Sequence, residues 1–350
     1  MSLKFSCFVI ILLFVPLFTQ CKALQLLEQQ PQATQQDVDD TVAETTSLVR
    51  LIYFTPQDRP FKQRIAEQIA LQMETVQTFF ADQMEAHGFG RKTFAFETDV
   101  KGKMVVHQVK GKFPDKHYLY NTITKVETEI RERFSLAKNV YMIVVDTSNK
   151  GISGALGFGS SRRGGQSGIL WIAKSGFQSK TIAHELGHAF GLHHDFRNER
   201  FLMSYGSFHL SSTRLEKRQL SKEAAEFLDA SRFFNPNRTF SSQSQPKIEI
   251  ISPLEYPSGT DSFRITFELS DPDGLHQARF HTNPNITDKD RAKFSRGTPA
   301  FKASKRLSGE KMTVAFDYKI SKVDFHDLWL QVVDSQGHFR TKPFSVQLEK

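Results

Sequence analysis

One segment, TIAHELGHAFGLHHD from Thr181 to Asp195, constrains this chain more than any other. His184 and His188 are four residues apart, so a helix would place their side chains on one face, one turn apart. That spacing suits two imidazole nitrogens that bind a single ion at roughly 2.0–2.1 Å. Glu185 would lie beside the ion without binding it, where its carboxylate can take a proton from a water. The segment therefore predicts a helix that carries a metal site and a base.

A third ligand follows the helix. Gly191 can adopt the left-handed backbone that ends a helix abruptly, so the chain can turn back and bring His194 to the ion from another direction. If these histidines were only core residues, each would need hydrogen-bond partners, since an unpaired buried polar group costs about 1–3 kcal/mol. Three histidines leave the fourth position of a tetrahedral ion open, which is typical of one catalytic Zn²⁺.

The pattern HELGHAFGLHHD resembles the H-E-x-x-H-x-x-G-x-x-H-D motif of the metzincin zinc peptidases. FLMSYG, with Met203 nine residues after His194, is similar to their Met-turn. The resemblance implies these roles: His184, His188 and His194 as zinc ligands, Glu185 as general base, Gly191 as the turn, and Met203 as the apolar residue beneath the metal.

Two further positions point to different metzincin subfamilies. Asp195 is similar to the acid of adamalysin-like members that follows the third ligand without binding the metal. Tyr205 is similar to the tyrosine near the metal in serralysins and astacins, where it would donate a hydrogen bond in the transition state or simply pack. The short interval from His194 to Met203 is closer to matrixins, so the subfamily stays open.

The resemblance also assigns the surroundings of the site. It implies that the glycine-rich segment 152–159 forms the edge strand of the cleft and holds an extended peptide by strand addition. Residues Phe208 to Leu210 would form the wall of the pocket for the residue after the cleaved bond. Leu220 to Phe234 would form the C-terminal helix of the catalytic domain.

The predicted function is that of an exported zinc-dependent endopeptidase, in which a zinc-bound water activated by Glu185 hydrolyses peptide bonds of protein or peptide substrates. A gluzincin-like site with a downstream glutamate as third ligand is one alternative, but Glu199 is too near in sequence and His194 is better placed. Another is an extracellular adhesin or ligand-binding protein whose zinc site is structural or inert. A closed structural site needs a fourth protein ligand, and Asp195 is the only nearby candidate.

The residues before this motif alternate between strand and helix patterns. Leu48–Phe54 and Asn139–Asp146 are apolar runs typical of strands, as is Gly168–Ala173. Apolar residues three or four apart predict helices through Ile65–Met84 and Leu119–Phe134. Short alternating segments lie around residues 92–97 and 104–110. This order predicts a zincin-like α+β domain with one twisted mixed sheet and an active-site helix.

Beyond Pro236 the apolar residues alternate with a period of two, and no helical period is present. Short strands separated by turns such as SDPDG predict an all-β immunoglobulin-like sandwich. The predicted organisation is a signal peptide (1–23), a disordered linker or short pro-segment (24–47), a catalytic domain (48–240) and the sandwich (247–350). Asp271 and Asp273 are interpreted as turn residues in preference to calcium ligands.

The N-terminus predicts an extracytoplasmic location. Lys4 precedes an apolar run from Phe8 to Phe18, and small residues follow, which fits a secretory signal cleaved after Ala23. Both cysteines, Cys7 and Cys21, lie in this segment, so the mature protein would have no disulfide. Lipid attachment at Cys21 is an alternative that would tether the protein to a membrane.

The chain is basic, with a formal charge of +8 that falls to +6 when Lys4 and Lys22 leave with the signal. Basic residues cluster between Asp288 and Lys311, in what the sequence suggests is a loop. Such a segment is either a solvated surface or a site for an anionic glycan or the cell envelope. No nucleic-acid-binding motif is present. His193, between two ligands, is expected on the surface.

Overall fold

The computed structural model describes residues 47–152, 156–195, 198–204, 214–240, 244–282, 300–319 and 326–349. These residues belong to one compact unit, 39–350. The predicted signal peptide and the linker up to residue 46 lie outside the described residues, and both stay predictions. None of the described helices is long and apolar enough to cross a membrane.

A mixed sheet forms the first half of the fold. Its strands are β1 (Leu48–Thr55), β2 (Ala95–Phe96), β3 (Val106–Lys110), β4 (Val140–Val145), β5 (Gly157–Arg162) and β6 (Ser167–Ala173). The order is β2-β1-β4-β6-β5, and β3 also pairs with β1. Every pair is parallel except β5 with β6. The sheet is therefore mixed as predicted, and its glycine-rich edge strand begins at Gly157, later than the predicted start at residue 152.

In the described part of the chain, four α-helices accompany the sheet: α1 (Gln63–Ala86), α2 (Thr122–Ile130), α3 (Ser179–Ala189) and α4 (Lys222–Ala230). The predicted apolar face of α1, which includes Ile69, Met73 and Phe80, is fully buried in the core on one side of the sheet. Helix α2 is shorter than predicted, because Leu119 belongs to a separate 3-10 turn. Helix α4 begins at the N-cap Ser221, whose hydroxyl accepts a hydrogen bond from the backbone of Ala224.

The second half is rich in strands. They are β7 (Lys247–Ile250), β8 (Glu255–Tyr256), β9 (Ser262–Ser270), β10 (Leu275–Thr282), β11 (Ala300–Arg306), β12 (Lys311–Lys319), β13 (His326–Asp334) and β14 (Phe339–Leu348). They form two sheets, β11-β10-β13-β14-β8 and β12-β9-β7. Both sheets contribute to one apolar core, in which Phe280 stacks on Phe316 with ring centroids 5.3 Å apart. The α+β fold class followed by a strand-rich C-terminal region is confirmed; the immunoglobulin type and the boundary between domains stay predictions.

The expectation of a basic loop is wrong for its second half. Residues 300–306 form β11 and Lys311 begins β12, whereas residues 288–299 lie outside the described part. Strand β11 pairs with β10 in an antiparallel arrangement, so the basic side chains of residues 300–306 lie along a strand. Lys311 forms an ion pair with Glu268 at 2.7 Å, and Arg306 lies 3.8 Å from Glu226. Part of its positive charge is therefore already compensated.

A buried aspartate, Asp146, connects strand β1 to the segments that follow strands β1 and β6. The Asp146 carboxylate, directly after β4, is 0% exposed. It accepts hydrogen bonds from the Tyr53 hydroxyl and from Arg59, both at 2.8 Å, and from Lys174 at 3.3 Å. Burial raises the pKa of Asp146, but the hydrogen bonds from Tyr53 and Arg59, with the charge of Lys174, outweigh it and hold the pKa below its ordinary value.

We expect Asp146→Asn to lower the free energy of unfolding by about 2 kcal/mol at neutral pH, because Tyr53 and the partly exposed Arg59 and Lys174 lose the buried carboxylate that accepts their hydrogen bonds. A depressed pKa in the folded state stabilises the protein above the unfolded pKa of about 3.9, and this stabilisation is lost as pH falls through the folded value. Urea unfolding at stepwise lower pH should therefore show the gap between variant and parent closing only in acid. A gap that does not change with pH would contradict this. Asp82→Asn, at an exposed ion pair, should have a much smaller effect.

Candidate metal centre

Helix α3 and the turn after it bring three histidines together. Gly191 has φ +106°, and the chain reverses there through two hydrogen bonds, from Gly191 N to His188 O at 3.0 Å and from Leu192 N to Gly187 O at 2.9 Å. This is a Schellman motif, which needs a residue that tolerates positive φ. The reversal places His194 against the helix that carries His184 and His188, as the sequence predicted.

The imidazole nitrogens converge on one point. The Nε2 atom of His194 lies 3.3 Å from Nε2 of His184 and 3.3 Å from Nε2 of His188. Nitrogens bound tetrahedrally at 2.0–2.1 Å from zinc are about 3.3 Å apart, since the edge of a tetrahedron is about 1.63 times its radius. The spacing of the three side chains therefore fits a zinc ion.

Backbone carbonyls set the tautomers of two of these rings. His184 Nδ1 lies 2.7 Å from the carbonyl oxygen of Leu202, and His188 Nδ1 lies 2.7 Å from that of Leu192. A carbonyl only accepts, so each Nδ1 carries the proton and donates it, and each Nε2 presents a lone pair. Lone pairs that face one another at this distance repel unless a cation lies between them, so the protonation pattern also fits a metal site.

Glu185 lines the same cleft as His184 and packs against the edge strand. The backbone N–H of Gly159, in β5, donates a hydrogen bond to its carboxylate. The approach is so close that a Cβ atom on Gly159 would lie 1.9 Å from the carbonyl oxygen of Glu185, so the strand requires glycine there. Burial raises the pKa of Glu185 to about 7, and the hydrogen bond from Gly159 opposes that rise. A cation on the histidines would lower this pKa again.

Met203 and Asp195 connect the histidine-bearing loop to the segment that follows it. Met203 is fully buried, and a methyl group on Gly187 would lie 2.5 Å from its sulfur, so Met203 packs directly against α3 at Gly187. Asp195 is 1% exposed, and its backbone N–H donates to the carbonyl of Met203 at 2.9 Å. The loop that carries the third histidine is thus tied to the segment predicted as a Met-turn.

The strand-rich region also contacts this loop, which the sequence did not predict. The Gln331 side chain, in β13 and fully buried, donates through Nε2 to the carbonyl oxygen of Gly191 at 2.8 Å. Phe339 packs on the same turn, where a Cβ on Gly191 would lie 2.4 Å from its ring. Leu330 and Val332 lie in the core between the two β-sheets, and Gln331 between them faces the opposite side of its strand. No local signal identifies a partner 140 residues away.

His193 is not the surface residue that the sequence predicted. It is partly buried, its Nε2 lies 3.4 Å from the hydroxyl of Thr341, and its ring lies 5.3 Å from that of His281. Burial lowers the pKa of His193 to about 3, and the positive charge of Arg279 contributes. The side chain turns toward the β-region because the neighbouring His194 turns toward α3.

The cleft at the site is lined, among the described residues, by Lys180, Thr181, His184, Glu185 and Arg218. Tyr205 and the predicted pocket wall, Phe208 to Leu210, lie outside the described residues and stay predictions. Glu199, the alternative third ligand, does not belong to the histidine group in the described structure; His194 does. The arrangement provides three nitrogen ligands and one adjacent carboxylate.

The described structure thus has a mixed α/β fold, a group of three histidines that could bind a metal ion, and a strand-rich C-terminal region. No protein-family model matches the sequence, and no curated protein matches it. Solved structures of OgpA from Akkermansia muciniphila are similar in fold, at 15% sequence identity and a TM-score of 0.57. Wild-type OgpA is matched over 90% of this chain and 97% of its own. A catalytically inactive OgpA in complex with an O-glycopeptide substrate, glycodrosocin, is matched over 90% and 96%.

Proposed function

We propose that this protein is a zinc-dependent endopeptidase of the metzincin type that acts outside the cytoplasm. The observation that carries the proposal is the convergence of three Nε2 atoms, 3.3 Å apart along two edges, at a cleft that Glu185 also lines. Export rests on the N-terminal segment, either as a secreted protein or as a lipoprotein attached through Cys21.

Zinc, when bound by His184, His188 and His194, supplies Lewis acidity that polarises a carbonyl group and makes water more acidic. Glu185 accepts the proton of the attacking water and then donates it to the leaving amine. The Gly159 N–H orients the Glu185 carboxylate for both transfers. Burial raises the pKa of the Glu185 carboxyl, so this group can keep the proton between its removal from water and its transfer to the amine.

An extended peptide is the substrate that this cleft suits. Strand β5 is the outermost strand on this side of the described sheet, and it runs directly over Glu185. A peptide that pairs with its outer edge would pass in front of the carboxylate. The fold likeness to OgpA in complex with an O-glycopeptide supports O-glycosylated peptides as the first substrates to test.

We expect the mature chain to purify with zinc at the histidine site and to cleave a library of peptides. A hydroxamate, which needs an open metal position, should inhibit cleavage, and a chelator should abolish it until zinc is restored. Parallel digests of one peptide with and without an O-glycan measure the preference. Zinc binding without cleavage of either form, and without hydroxamate binding, would contradict the proposal and favour the adhesin alternative.

A further inference from the structure

A second group of potential metal ligands lies where two turns of the strand-rich region meet. Asp273 belongs to the turn between β9 and β10, and Asp334 and His338 flank the turn between β13 and β14. One ligand atom of each lies within 4.8 Å of the others. No residue is shared with the histidine site, so this cluster needs its own explanation.

Its buried members lack the partners that burial normally requires. His338 is 1% exposed, and neither ring nitrogen has a hydrogen-bond partner in the described structure. Asp334 is 0% exposed. Its Oδ1 accepts the backbone N–H groups of Gln336 and His338, both at 2.8 Å, whereas Oδ2 accepts none and lies 3.3 Å from His338 Nδ1. Buried polar atoms left like this usually indicate an absent ion or water.

A third carboxylate adds to the negative charge. Asp271 is 2% exposed, and the Ser244 hydroxyl donates to Asp273 Oδ2 at 2.8 Å while it lies 3.3 and 3.4 Å from the Asp271 oxygens. Burial raises the pKa of Asp271, and the charges of Asp334 and Asp273 add to that rise. Neither Asp271 nor Asp334 forms an ion pair with a lysine or arginine in the part of the chain described. Carboxylates buried together without a cation are unfavourable.

We propose that Asp273, Asp334 and His338 bind a second divalent cation, which joins the two turns. An imidazole among carboxylates favours an ion that takes nitrogen as well as oxygen ligands, such as Zn²⁺, over Ca²⁺, which takes oxygen ligands. Asp271 and Ser244 are placed to hold the Asp273 carboxylate in position. The site is structural, because two of its ligands are buried, the third is partly buried, and none belongs to the cleft that Glu185 lines.

Zinc binding to the full mature chain, stripped with a chelator and reloaded, tests this independently of any peptidase activity. We expect two equivalents of zinc in the parent and one in His188→Ala, which removes the first site. In the His188→Ala chain, zinc at 100 times its dissociation constant should raise the midpoint of thermal unfolding by roughly 5 °C or more. Ca²⁺ at the same concentration should raise it less.

Adding Asp273→Asn or His338→Gln to His188→Ala should abolish the remaining equivalent and the shift in midpoint. Asp261→Asn, at an exposed acid of the same region, is the matched control and should change neither. In the otherwise unchanged chain, Asp273→Asn should keep peptide cleavage within about twofold, because it does not touch the first site. One equivalent in the parent and none in His188→Ala would overturn the proposal, as would zinc binding that persists in both variants.

Discussion

Glu185→Gln should lower kcat for peptide cleavage by about 10³-fold or more while zinc stays bound. Glutamine has the shape of glutamate and keeps an oxygen that can accept the Gly159 N–H, but it cannot take a proton from water. The loss therefore corresponds to about 4 kcal/mol of transition-state stabilisation, at roughly 1.36 kcal/mol for each factor of ten. Initial rates on one peptide, combined with metal analysis of the same preparation, measure both quantities.

Glu67→Gln, at an exposed glutamate of α1, is the control and should match the parent in both. A Glu185→Gln protein that lost its zinc would show that this carboxylate supports the metal instead of the proton transfer. One that cleaved at the parent rate would remove Glu185 from the mechanism altogether.

Gly191→Ala should damage the metal site without altering any ligand. An added methyl group meets a positive φ of +106° and would lie 2.4 Å from the Phe339 ring, so the turn must shift and carry His194 with it. We expect zinc affinity to fall about 10-fold or more, since groups that orient metal ligands commonly contribute this much. The free energy of unfolding should fall by more than the roughly 1–2 kcal/mol of a left-handed residue alone.

Gly259→Ala separates the cost of a positive φ from the effect of the clash with the Phe339 ring. Gly259 also has positive φ, +83°, but its methyl group would meet nothing within 4 Å, and it lies in the strand-rich region away from the site. It should therefore show the conformational cost with normal zinc affinity and activity. Equal effects of the two substitutions on stability, with zinc binding unchanged in both, would show that the Gly191 turn is not under the constraint described.

Local spacing is what made the centre of the site predictable. His184, His188 and Glu185 follow from helical geometry, and Gly191 with His194 follows from how a helix ends, so five positions of one short segment suffice. The presence of one mixed sheet was also predictable, because its central strands are continuous apolar runs separated by helical periods. The ends of strand β5 are harder to predict. Its glycines allow close packing on Glu185, but they interrupt the run of apolar residues by which a strand is recognised in a sequence.

Contacts between distant segments could not be predicted in the same way. The partner of the Gly191 carbonyl lies in β13, and an isolated glutamine between apolar residues looks like a solvent-facing position. The position of His193 between two ligands predicts a surface residue, whereas Thr341 and His281 lie next to it in the structure. The basic segment resembled a loop because its charges outnumber its apolar residues, yet pairing with β10 makes part of it a strand.

The contact of Gln331 and Phe339 with the Gly191 turn bears on how such a protein can change over time. A C-terminal module that only delivered an enzyme to its target could be exchanged for another by recombination. Here a replacement would have to reproduce an amide and an aromatic ring that contact the Gly191 turn. New substrate ranges should therefore arise in this lineage by changes in the rim of the cleft, with the two halves inherited together.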